Sequence, residues 1–428
     1  MIVSKQDSVP SLTIQSRQPP EAERGSSTRQ PESCSYEIVY REGPSELIGS
    51  GTPAFRIFAR DRQSLQRFLR MDAYAAARAY IQGEIDVEGD LAAAIAVSRA
   101  RPLNWKDLAS ALRARLSTAK FESLFQTKAR AARNIRRHYD CSNEFYQQFL
   151  DSRMVYSCAY FAHPDWSLEQ AQAAKLDYIC RKLDLQKGER FLDIGCGWGA
   201  LVLCAAERFG AVSTGCTLSE RQFGYASDCA NRSPARNQVS ILESDYRDLT
   251  GSFDKIASIG MFEHVGRRRL AGYFRKMASL LSGGGLFLNH GIIRPQLESD
   301  SAESVFLREE VFPGGELAHL SDVTRIAETA GFEVLDVENL RPHYALTCRA
   351  WVRRLQQNAA GCLRHVDVTR YRTWMLYLAG AACRFEHGQT DVYQILMAKR
   401  ACPRHSRLTR DYMYGDANGN RMPQSEWP

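Results

Sequence analysis

The sequence predicts an α/β protein with a Rossmann-like, mostly parallel sheet of seven strands, preceded by a small N-terminal α+β domain. One observation is the alternation of apolar strand segments with helical segments over residues 169–400. A second is a loop with three alternately spaced glycines between the first of these strands and its helix. Repeated β–α units imply right-handed crossovers and a sheet covered on both faces. Ligands of such folds bind at the carboxyl ends of the strands.

The elements of the sheet are predicted in order from hydrophobic periodicity. Strands are expected over residues 191–193, 212–218, 239–245, 253–260, 285–293, 332–339 and 392–400. Helices are expected over residues 169–183, 200–209, 219–231, 267–281, 321–330, 344–357 and 371–388. Ser219 is expected to cap its helix, and the last strand can run antiparallel.

The N-terminal part has a different pattern. Tyr36–Tyr40 and Phe55–Ala59 alternate like strands, and residues 64–71 and 74–81 have helical spacing. Residues 1–35 are rich in Ser, Pro and Gln, which predicts a disordered leader. The sequence therefore divides into a leader at 1–35, a small domain at 36–101, an amphipathic helical connector at 102–133, a catalytic domain at 134–400 and a polar tail without packing signals at 401–428. The connector either packs between the domains or lies on a membrane.

Composition limits the kind of protein. The 428 residues are 44% hydrophobic, which suffices for two domains, yet no apolar run approaches the ~20 residues that a membrane span needs. A net charge of +7 favours an anionic surface such as phospholipid headgroups or nucleic acid, or is simply a solvated basic face. The 12 cysteines form no C-x-x-C pair or zinc spacing, which indicates reduced thiols, a cytoplasmic protein and no metal site.

The segment Phe191–Gly199 predicts a cofactor loop. Its glycines let the backbone turn tightly and approach a ligand, but it lacks the G-x-G-x-x-G spacing and the Lys-Ser/Thr of phosphate-binding loops. Such a loop suits S-adenosylmethionine (SAM), whose amino acid end needs close backbone approach and a carboxylate such as Asp193. A tight turn without a ligand is the alternative.

Several motifs in order resemble the cyclopropane-fatty-acyl-phospholipid synthase family, which includes the mycolic acid cyclopropane synthases. They are His138-Tyr-Asp-x-x-Asn-x-Phe-Tyr146, Tyr156-Ser-Cys-Ala-Tyr-Phe161, Leu192-Asp-Ile-Gly-Cys-Gly-Trp-Gly199, Thr217-Leu-Ser-x-x-Gln222, Met261-Phe-Glu-His-Val-Gly266, Val311-Phe-Pro-Gly-Gly-Glu-Leu317, His343-Tyr-Ala-Leu-Thr-x-x-x-Trp351 and Gln394. The resemblance spans roughly residues 134–399 and is fainter over the small domain. It implies a class I SAM-dependent methyltransferase fold.

The resemblance also implies the reaction. Family members transfer the SAM methyl group to the double bond of an unsaturated acyl chain, and the resulting carbocation is deprotonated to close a cyclopropane ring, with bound bicarbonate as the base. Aromatic faces can stabilise the cation, and Tyr156, Tyr160, Phe161 and Tyr344 are the candidates. The catalytic residues that match the family are Cys158, Glu263, His290, Ile292 through its backbone, and Tyr344.

Cofactor contacts are carried over in the same way. The matching positions are Tyr156, Ser157, Phe191, Asp193, Gly195, Cys196, Gly197, Gly199, Thr217, Leu218, Gln222, Asp245, Tyr246 and Arg247. Asp193 suits the methionine ammonium, Thr217 with Gln222 the ribose hydroxyls, and Asp245 or its neighbours the adenine amine. Two positions depart from the family: Ala381 replaces a cysteine found in some relatives, and Gly291 replaces a residue with a side chain.

The predicted acceptor is an unsaturated acyl chain of membrane phospholipids. The resemblance implies a homodimer that lies peripherally on the inner face of the membrane, in the cytoplasm and without a nucleic acid partner. Three alternatives stay open: an acyl C-methyltransferase with methyl-branched, methylene or hydroxylated products, a small-molecule N- or O-methyltransferase, and a non-catalytic lipid-binding protein. The aromatic segment 156–161 argues against a polar acceptor, and the intact cofactor loop argues against binding alone.

Overall fold

A computed structural model describes residues 34–41, 43–71, 73–99, 141–295, 317–400 and 408–414. The chain divides into two compact units, residues 1–110 and residues 111–428. The predicted connector, most of the leader and most of the tail lie outside the described residues. No helix within the described ranges is both long enough and apolar enough to cross a membrane.

The N-terminal unit has the predicted α+β composition. Its strands are β1 (Tyr36–Tyr40), β2 (Glu46–Ile48), β3 (Phe55–Ala59) and β4 (Asp86–Gly89), and its helices are α1 (Arg62–Leu69), α2 (Ala73–Gln82) and α3 (Leu91–Arg99). The sheet order is β2-β1-β3-β4, in which only β1 and β3 are parallel. The short, largely exposed strands β2 and β4 lack the buried alternation that would have revealed them. The leader boundary is wrong at Ser35, which is buried and accepts a hydrogen bond from the Ala54 amide at 2.8 Å.

The larger unit alternates strands and helices as predicted. Its strands are β5 (Arg190–Ile194), β6 (Val212–Thr217), β7 (Val239–Glu243), β8 (Phe253–Ile259), β9 (Leu281–Ile293), β10 (Phe332–Asn339) and β11 (Asp391–Lys399). Its helices are α4 (Asn143–Gln147), α5 (Leu168–Lys182), α6 (Ala200–Phe209), α7 (Glu220–Arg232), α8 (Leu270–Leu280), α9 (Leu320–Thr329), α10 (Arg341–Gln357), α11 (Ala359–Cys362), α12 (Val368–Glu386) and α13 (Asp411–Tyr414). Ser219 caps α7, since its hydroxyl accepts from the Gln222 amide.

These strands form one seven-stranded sheet in the order β10-β11-β9-β8-β5-β6-β7. All neighbours are parallel except β11, which is antiparallel to both β10 and β9, as predicted for the last strand. The strand order reverses between β5 and β8, so their carboxyl ends leave a crevice at this switch point. The glycine loop follows β5 and therefore lies at that crevice.

Helices bury both faces of the sheet. On one face, α8 and α9 contribute Phe274, Met277 and Val323 to a cluster with the buried strand residues. On the other face, α5 and α6 contribute Ile179, Leu201 and further apolar side chains. Strands buried on both faces must be apolar throughout, which explains why β5 and β9 lack clear alternation.

The prediction of a tail without packing is wrong for residues 408–414. Helix α13 packs against α5 and buries Met413. The Tyr412 hydroxyl donates to the Lys182 carbonyl at 3.4 Å, and Arg410 Nε lies 2.6 Å from Asp336. The Tyr414 ring stacks 5.5 Å from the ring of Tyr178. Aromatic residues spaced over a single helical turn gave too short a pattern to predict this contact.

Candidate active site

The glycine loop has the conformation that its composition predicts. Gly195, Gly197 and Gly199 have φ angles of 78°, 55° and 91°, which side chains rarely adopt. The amides of Gly195 and Cys196 both donate to the Cys216 carbonyl at 2.9 Å, so the loop is tied to the neighbouring strand β6. The backbone therefore forms the floor of a cavity at the switch point.

Most of the predicted cofactor residues line this cavity. They are Tyr156, Ser157, Asp193, Gly195, Cys196, Gly197, Thr217, Leu218, Gln222, Asp245, Tyr246 and Arg247. Two predicted contacts lie outside it. Phe191 is fully buried in the core beneath the sheet, and Gly199 lies behind the loop, where a Cβ would be 3.1 Å from that of Ala226.

The polar residues along β6 and β7 are held in place by one another. The Thr217 hydroxyl donates to Gln222 Oε1 at 2.8 Å, which fixes both side chains at the cavity wall. The Asp245 carboxylate accepts from the Arg247 amide at 2.9 Å and from Arg247 Nε at 2.8 Å. Both pairs are pre-organised before a ligand binds, which lowers the entropic cost of recognition.

Sequence reasoning missed part of the lining. Met154, Lys175, Met261 and His264 also face the cavity. Burial lowers the pKa of His264 to about 4, so this imidazole is neutral at physiological pH. Met261 and His264 belong to a motif that the sequence did identify, but nothing in the motif showed which of its side chains face the cofactor. Lys175 lies in the middle of a helix in which 12 residues are buried, and nothing in the sequence showed that this lysine is one of them.

A buried carboxylate shapes the loop that leads to Tyr156. Asp151 accepts hydrogen bonds from the amides of Arg153 at 3.1 Å and Val155 at 2.8 Å. Between them Met154 has a φ of 59°, a strained conformation that the two bonds hold. Burial raises the pKa of Asp151, although both amides favour its charged form. The strained turn delivers Tyr156 and Ser157 to the cavity.

The predicted catalytic residues form a second group beside the cofactor cavity. None of Cys158, Glu263, His290, Ile292 and Tyr344 lines the cavity itself. Cys158 directly follows Ser157 in the chain, and Glu263 lies between Phe262 and His264 in a single 3-10 turn. In each of these two segments, a residue that lines the cofactor cavity is the direct neighbour in the chain of a predicted catalytic residue. The pairs are Ser157 with Cys158 and His264 with Glu263.

Contacts connect the members of the catalytic group. Glu263 Oε1 accepts from the Ile292 amide at 2.7 Å, while Glu263 Oε2 is buried without a hydrogen-bond partner. The Ile292 N–H was expected to contact a bound anion, but it is used by Glu263 and thus positions that carboxylate. The Leu340 carbonyl accepts from the Tyr344 amide at 3.0 Å and lies 3.8 Å from the Cys158 thiol, so these two residues share a backbone neighbour. Burial raises the pKa of Tyr344 well above its usual value.

His290 is held by the neighbouring strand. Gln394 lies opposite it in the β9–β11 register, and Gln394 Nε2 is 3.4 Å from His290 Nδ1. The other ring nitrogen, Nε2, is buried without a hydrogen-bond partner among the described residues. Burial lowers the pKa of His290 well below its usual value, so the ring is neutral. It therefore presents one N–H donor.

Gly291 allows Glu263 to approach the strand. A Cβ at this position would lie 2.1 Å from the Phe262 ring and 3.0 Å from Glu263 Oε1. In the sequence, Gly291 was identified only as a departure from the family. The structure instead shows that the missing side chain is replaced by the ring of Phe262.

Burial of Glu263 predicts an unusual pH dependence of stability. The pKa of Glu263 is raised by burial from 4.5 to about 7, so the folded state keeps a proton that the unfolded state releases above about pH 4.5. Its contribution to stability therefore falls between pH 4.5 and 7, by up to about 3 kcal/mol. We expect Glu263→Gln to raise the melting temperature more at pH 8 than at pH 4.5, measured by calorimetry. Equal shifts at both pH values would contradict the raised pKa.

A wall of aromatic rings connects the two groups. Tyr156, which lines the cofactor cavity, lies 5.1 Å from the Trp351 ring, and Trp351 lies 6.1 Å from Tyr344. Tyr344 in turn stacks on Phe385 at 4.5 Å. Tyr160, also predicted as part of this wall, instead stacks on His343 and Tyr178 at 4.7 and 4.6 Å, respectively, in a separate cluster. The rings of Tyr156, Trp351, Tyr344 and Phe385 therefore form a largely apolar cluster next to the cofactor cavity.

Comparison with known proteins agrees with this geometry. The fold and the cofactor cavity define a class I SAM-dependent methyltransferase. A family model described as mycolic acid cyclopropane synthetase matches residues 126–395. The chain belongs to this family, whose members are SAM-dependent cyclopropane synthases and methyltransferases of lipids.

Individual relatives cover the chain to different extents. A probable fatty acid methyltransferase of Pseudomonas putida is 38% identical over 370 residues, covering 85% of this chain and 92% of the relative. Cyclopropane mycolic acid synthase 3 of Mycobacterium tuberculosis is 36% identical and covers 62% of this chain and 96% of its own. The solved mycolic acid cyclopropane synthase CmaA1, complexed with SAH and CTAB, superposes with a TM-score of 0.60 at 34% identity, covering 63% and 98% of the two chains.

Proposed function

We propose that this enzyme transfers a methylene group from SAM to the cis double bond of unsaturated acyl chains in membrane phospholipids, forming a cyclopropane ring. The observation that carries the proposal is the second group of buried polar atoms beside the cofactor cavity. SAM supplies an electrophilic methyl group when bound. The glycine loop and the Thr217–Gln222 pair hold SAM in the cofactor cavity. Because the catalytic residues are direct chain neighbours of residues that line this cavity, an acyl chain bound beside the catalytic residues would lie close to the methyl group.

The chemistry of the catalytic group fits bicarbonate. Glu263 Oε2 and His290 Nε2 are buried without partners, and the Cys158 amide finds no acceptor among the described residues. An anion that also carries a hydroxyl matches this set: His290 Nε2–H, the Cys158 amide and the Tyr344 hydroxyl can donate, and Glu263 Oε2 can accept. Bicarbonate would supply a base for the added methyl group at this position. Neutral His290 adds no positive charge of its own to this group.

The aromatic wall supports a cationic reaction on an alkyl chain. Methyl transfer to an alkene leaves a positive charge on carbon, and each desolvated ring face contributes about 0.5–2 kcal/mol toward such a charge. Tyr156 and Tyr344 lie at the two ends of the Trp351 contact. Burial raises the pKa of Tyr344 and of the Cys158 thiol, so neither is an anion that the cation could alkylate.

An exposed apolar turn supports a phospholipid acceptor. Leu363, which follows α11, and Val368, the first residue of α12, are exposed, and so is Arg364 between them. Apolar side chains beside an arginine suit the interface of an anionic bilayer. The segment leads directly into α12, which contributes Trp374 and Phe385 to the rings around Tyr156 and Tyr344. An acyl chain would thus enter along α12.

The proposal is tested with purified full-length protein, methyl-labelled SAM and vesicles of cis-unsaturated phosphatidylglycerol. We expect label in the lipid fraction and acyl chains heavier by one CH₂ that resist hydrogenation of a double bond. Vesicles of fully saturated phosphatidylglycerol serve as the control and should stay unlabelled. Absence of label from the unsaturated lipid would overturn the proposal.

A methyl-branched or methylene product is the second candidate. The Pseudomonas putida relative, which matches most of the chain, is called a probable fatty acid methyltransferase. In the same assay an acyl chain that gains one CH₂ but keeps a reducible double bond would identify a methylene product or a methyl branch on a retained alkene. A saturated methyl branch would add two further hydrogens and would require a reductant in the assay. The presence of Glu263 with Cys158, His290 and Tyr344 favours the ring. Homodimerisation, a cytoplasmic location and the absence of a nucleic acid partner stay predictions.

A further inference from the structure

Lys175 is a buried cation that no part of the proposed mechanism uses. Its side chain is 2% exposed and lines the cofactor cavity, and Nζ donates to Ser157 Oγ at 2.9 Å. Within the described ranges it forms no ion pair. Burying an ammonium costs several kcal/mol unless an anion compensates it, and one hydroxyl is weak compensation.

A second buried lysine of the same helix has its charge balanced by carboxylates. Lys182 is also buried, but its Nζ lies 3.0 Å from Asp336 and 2.5 Å from Glu338. Lys182 does not line the cavity. The helix therefore carries one lysine in ion pairs with two carboxylates and one that faces a ligand cavity without an ion pair. The charge of the buried Asp151 also favours the charged form of Lys175, but Asp151 itself is hydrogen-bonded to the amides of Arg153 and Val155.

Asp193 provides the opposite charge at the same cavity. Its side chain is buried at the end of β5, and Oδ1 has no hydrogen-bond partner. Burial raises the pKa of Asp193 to about 7 and lowers that of Lys175 to about 8, while each group offsets part of the shift of the other. The cavity wall thus holds a cationic and an anionic group, neither of which is fully satisfied by the protein.

We propose that Lys175, together with the Ser157 hydroxyl, binds the α-carboxylate of the methionine part of SAM, while Asp193 receives its ammonium. The inference rests on the use of SAM as donor. The amino acid end of this ligand is a zwitterion, so it matches two opposite charges in one cavity. Lys175 then positions the sulfonium by anchoring the far end of the same chain, and it contacts no reacting atom.

The test compares two ligands by titration calorimetry on the full chain. One is S-adenosylhomocysteine, and the other is the same molecule without its α-carboxylate, 5′-deoxy-5′-(3-aminopropylthio)adenosine. The wild-type protein should bind the second about 10- to 100-fold more weakly, the range expected for a hydrogen-bonded charge pair. Equal affinities for the two ligands would overturn the proposal without any variant.

The variant Lys175→Met separates recognition from packing. It should weaken S-adenosylhomocysteine binding by about 10- to 100-fold and change binding of the decarboxylated ligand by less than about 3-fold. Lys175→Arg should restore part of the loss. Equal losses for both ligands would assign Lys175 a structural role and overturn the proposal. Lys182→Met is the control, because Lys182 lies in the same helix and is also buried. If this variant weakens ligand binding at all, it should weaken the binding of both ligands by the same factor.

The result also separates this inference from the function on which it rests. If the wild-type protein binds neither ligand, the use of SAM fails and the proposal fails with it. If it binds both equally and still labels lipid, only the role of Lys175 is lost.

Discussion

Glu263→Gln should reduce turnover by about 100-fold or more while S-adenosylhomocysteine binding stays within about 2-fold of wild type. The glutamine oxygen can still accept from the Ile292 amide, which keeps the 3-10 turn in place. Its NH₂ group, however, replaces the unpartnered Oε2 by a donor. A site that needs an acceptor there loses it, whereas the cofactor cavity on the other side of the turn is unchanged.

The measurement is the initial rate of label transfer to vesicles, with cofactor binding followed by calorimetry. Glu189→Gln is a suitable control, because Glu189 is half-buried at the amino-terminal side of β5 and its pKa is also raised by burial. This control should keep wild-type turnover. Unchanged turnover in Glu263→Gln would remove Glu263 from the catalytic group, and a parallel loss of cofactor binding would instead indicate a disrupted turn.

Gly291→Ala should destabilise the protein by about 1–3 kcal/mol and reduce turnover by at least about 10-fold. The new methyl group would lie 2.1 Å from the Phe262 ring, which is fully packed in the core and cannot leave without moving its neighbours. Because Phe262 precedes Glu263 in the 3-10 turn, displacement of the ring also moves the carboxylate. Unfolding in urea and the label-transfer rate measure the two effects.

Two further variants sharpen this test. Gly224→Ala in α7 adds the same methyl group where nothing lies within 4 Å, so it should be neutral or stabilise the helix by up to about 1 kcal/mol. Adding Phe262→Leu to Gly291→Ala should cost less than the sum of the two single changes, since the smaller side chain makes room. A Gly291→Ala protein as stable and active as wild type would refute the close contact.

Much of the fold could be predicted because the sheet is buried on both faces. Strand β10 and helix α6 were predicted to the residue, since each has a clear apolar pattern between turn residues. Strand β9 begins four residues earlier than predicted, because Gly283–Gly285 carry no side chains that would show a pattern. Helix α13 was missed because its four residues are too few to show a periodicity. The contacts that hold the segment come from distant positions such as Tyr178 and Asp336.

The sequence predicts the candidate site well where a motif determines the backbone conformation. It does not predict which side chains the tertiary packing turns toward the cavity. The glycine loop and the Thr217–Gln222 pair lie as expected, because turn chemistry and short spacing determine them locally. Phe191 was assigned to the cofactor from its place in a motif, yet strand alternation turns its side chain into the core. Lys175 could not be found from sequence, because a lysine in a helix is ordinarily exposed and only the tertiary contacts of α5 bury it.

The 3-10 turn Phe262–His264 lies between the cofactor cavity and the catalytic group. His264 faces the cofactor cavity, and the neighbouring Glu263 belongs to the catalytic group. Replacements in the catalytic group can therefore change the product that the carbocation gives without changing how SAM is bound. A few replacements in that group would then be enough for one scaffold to give several different modified lipids.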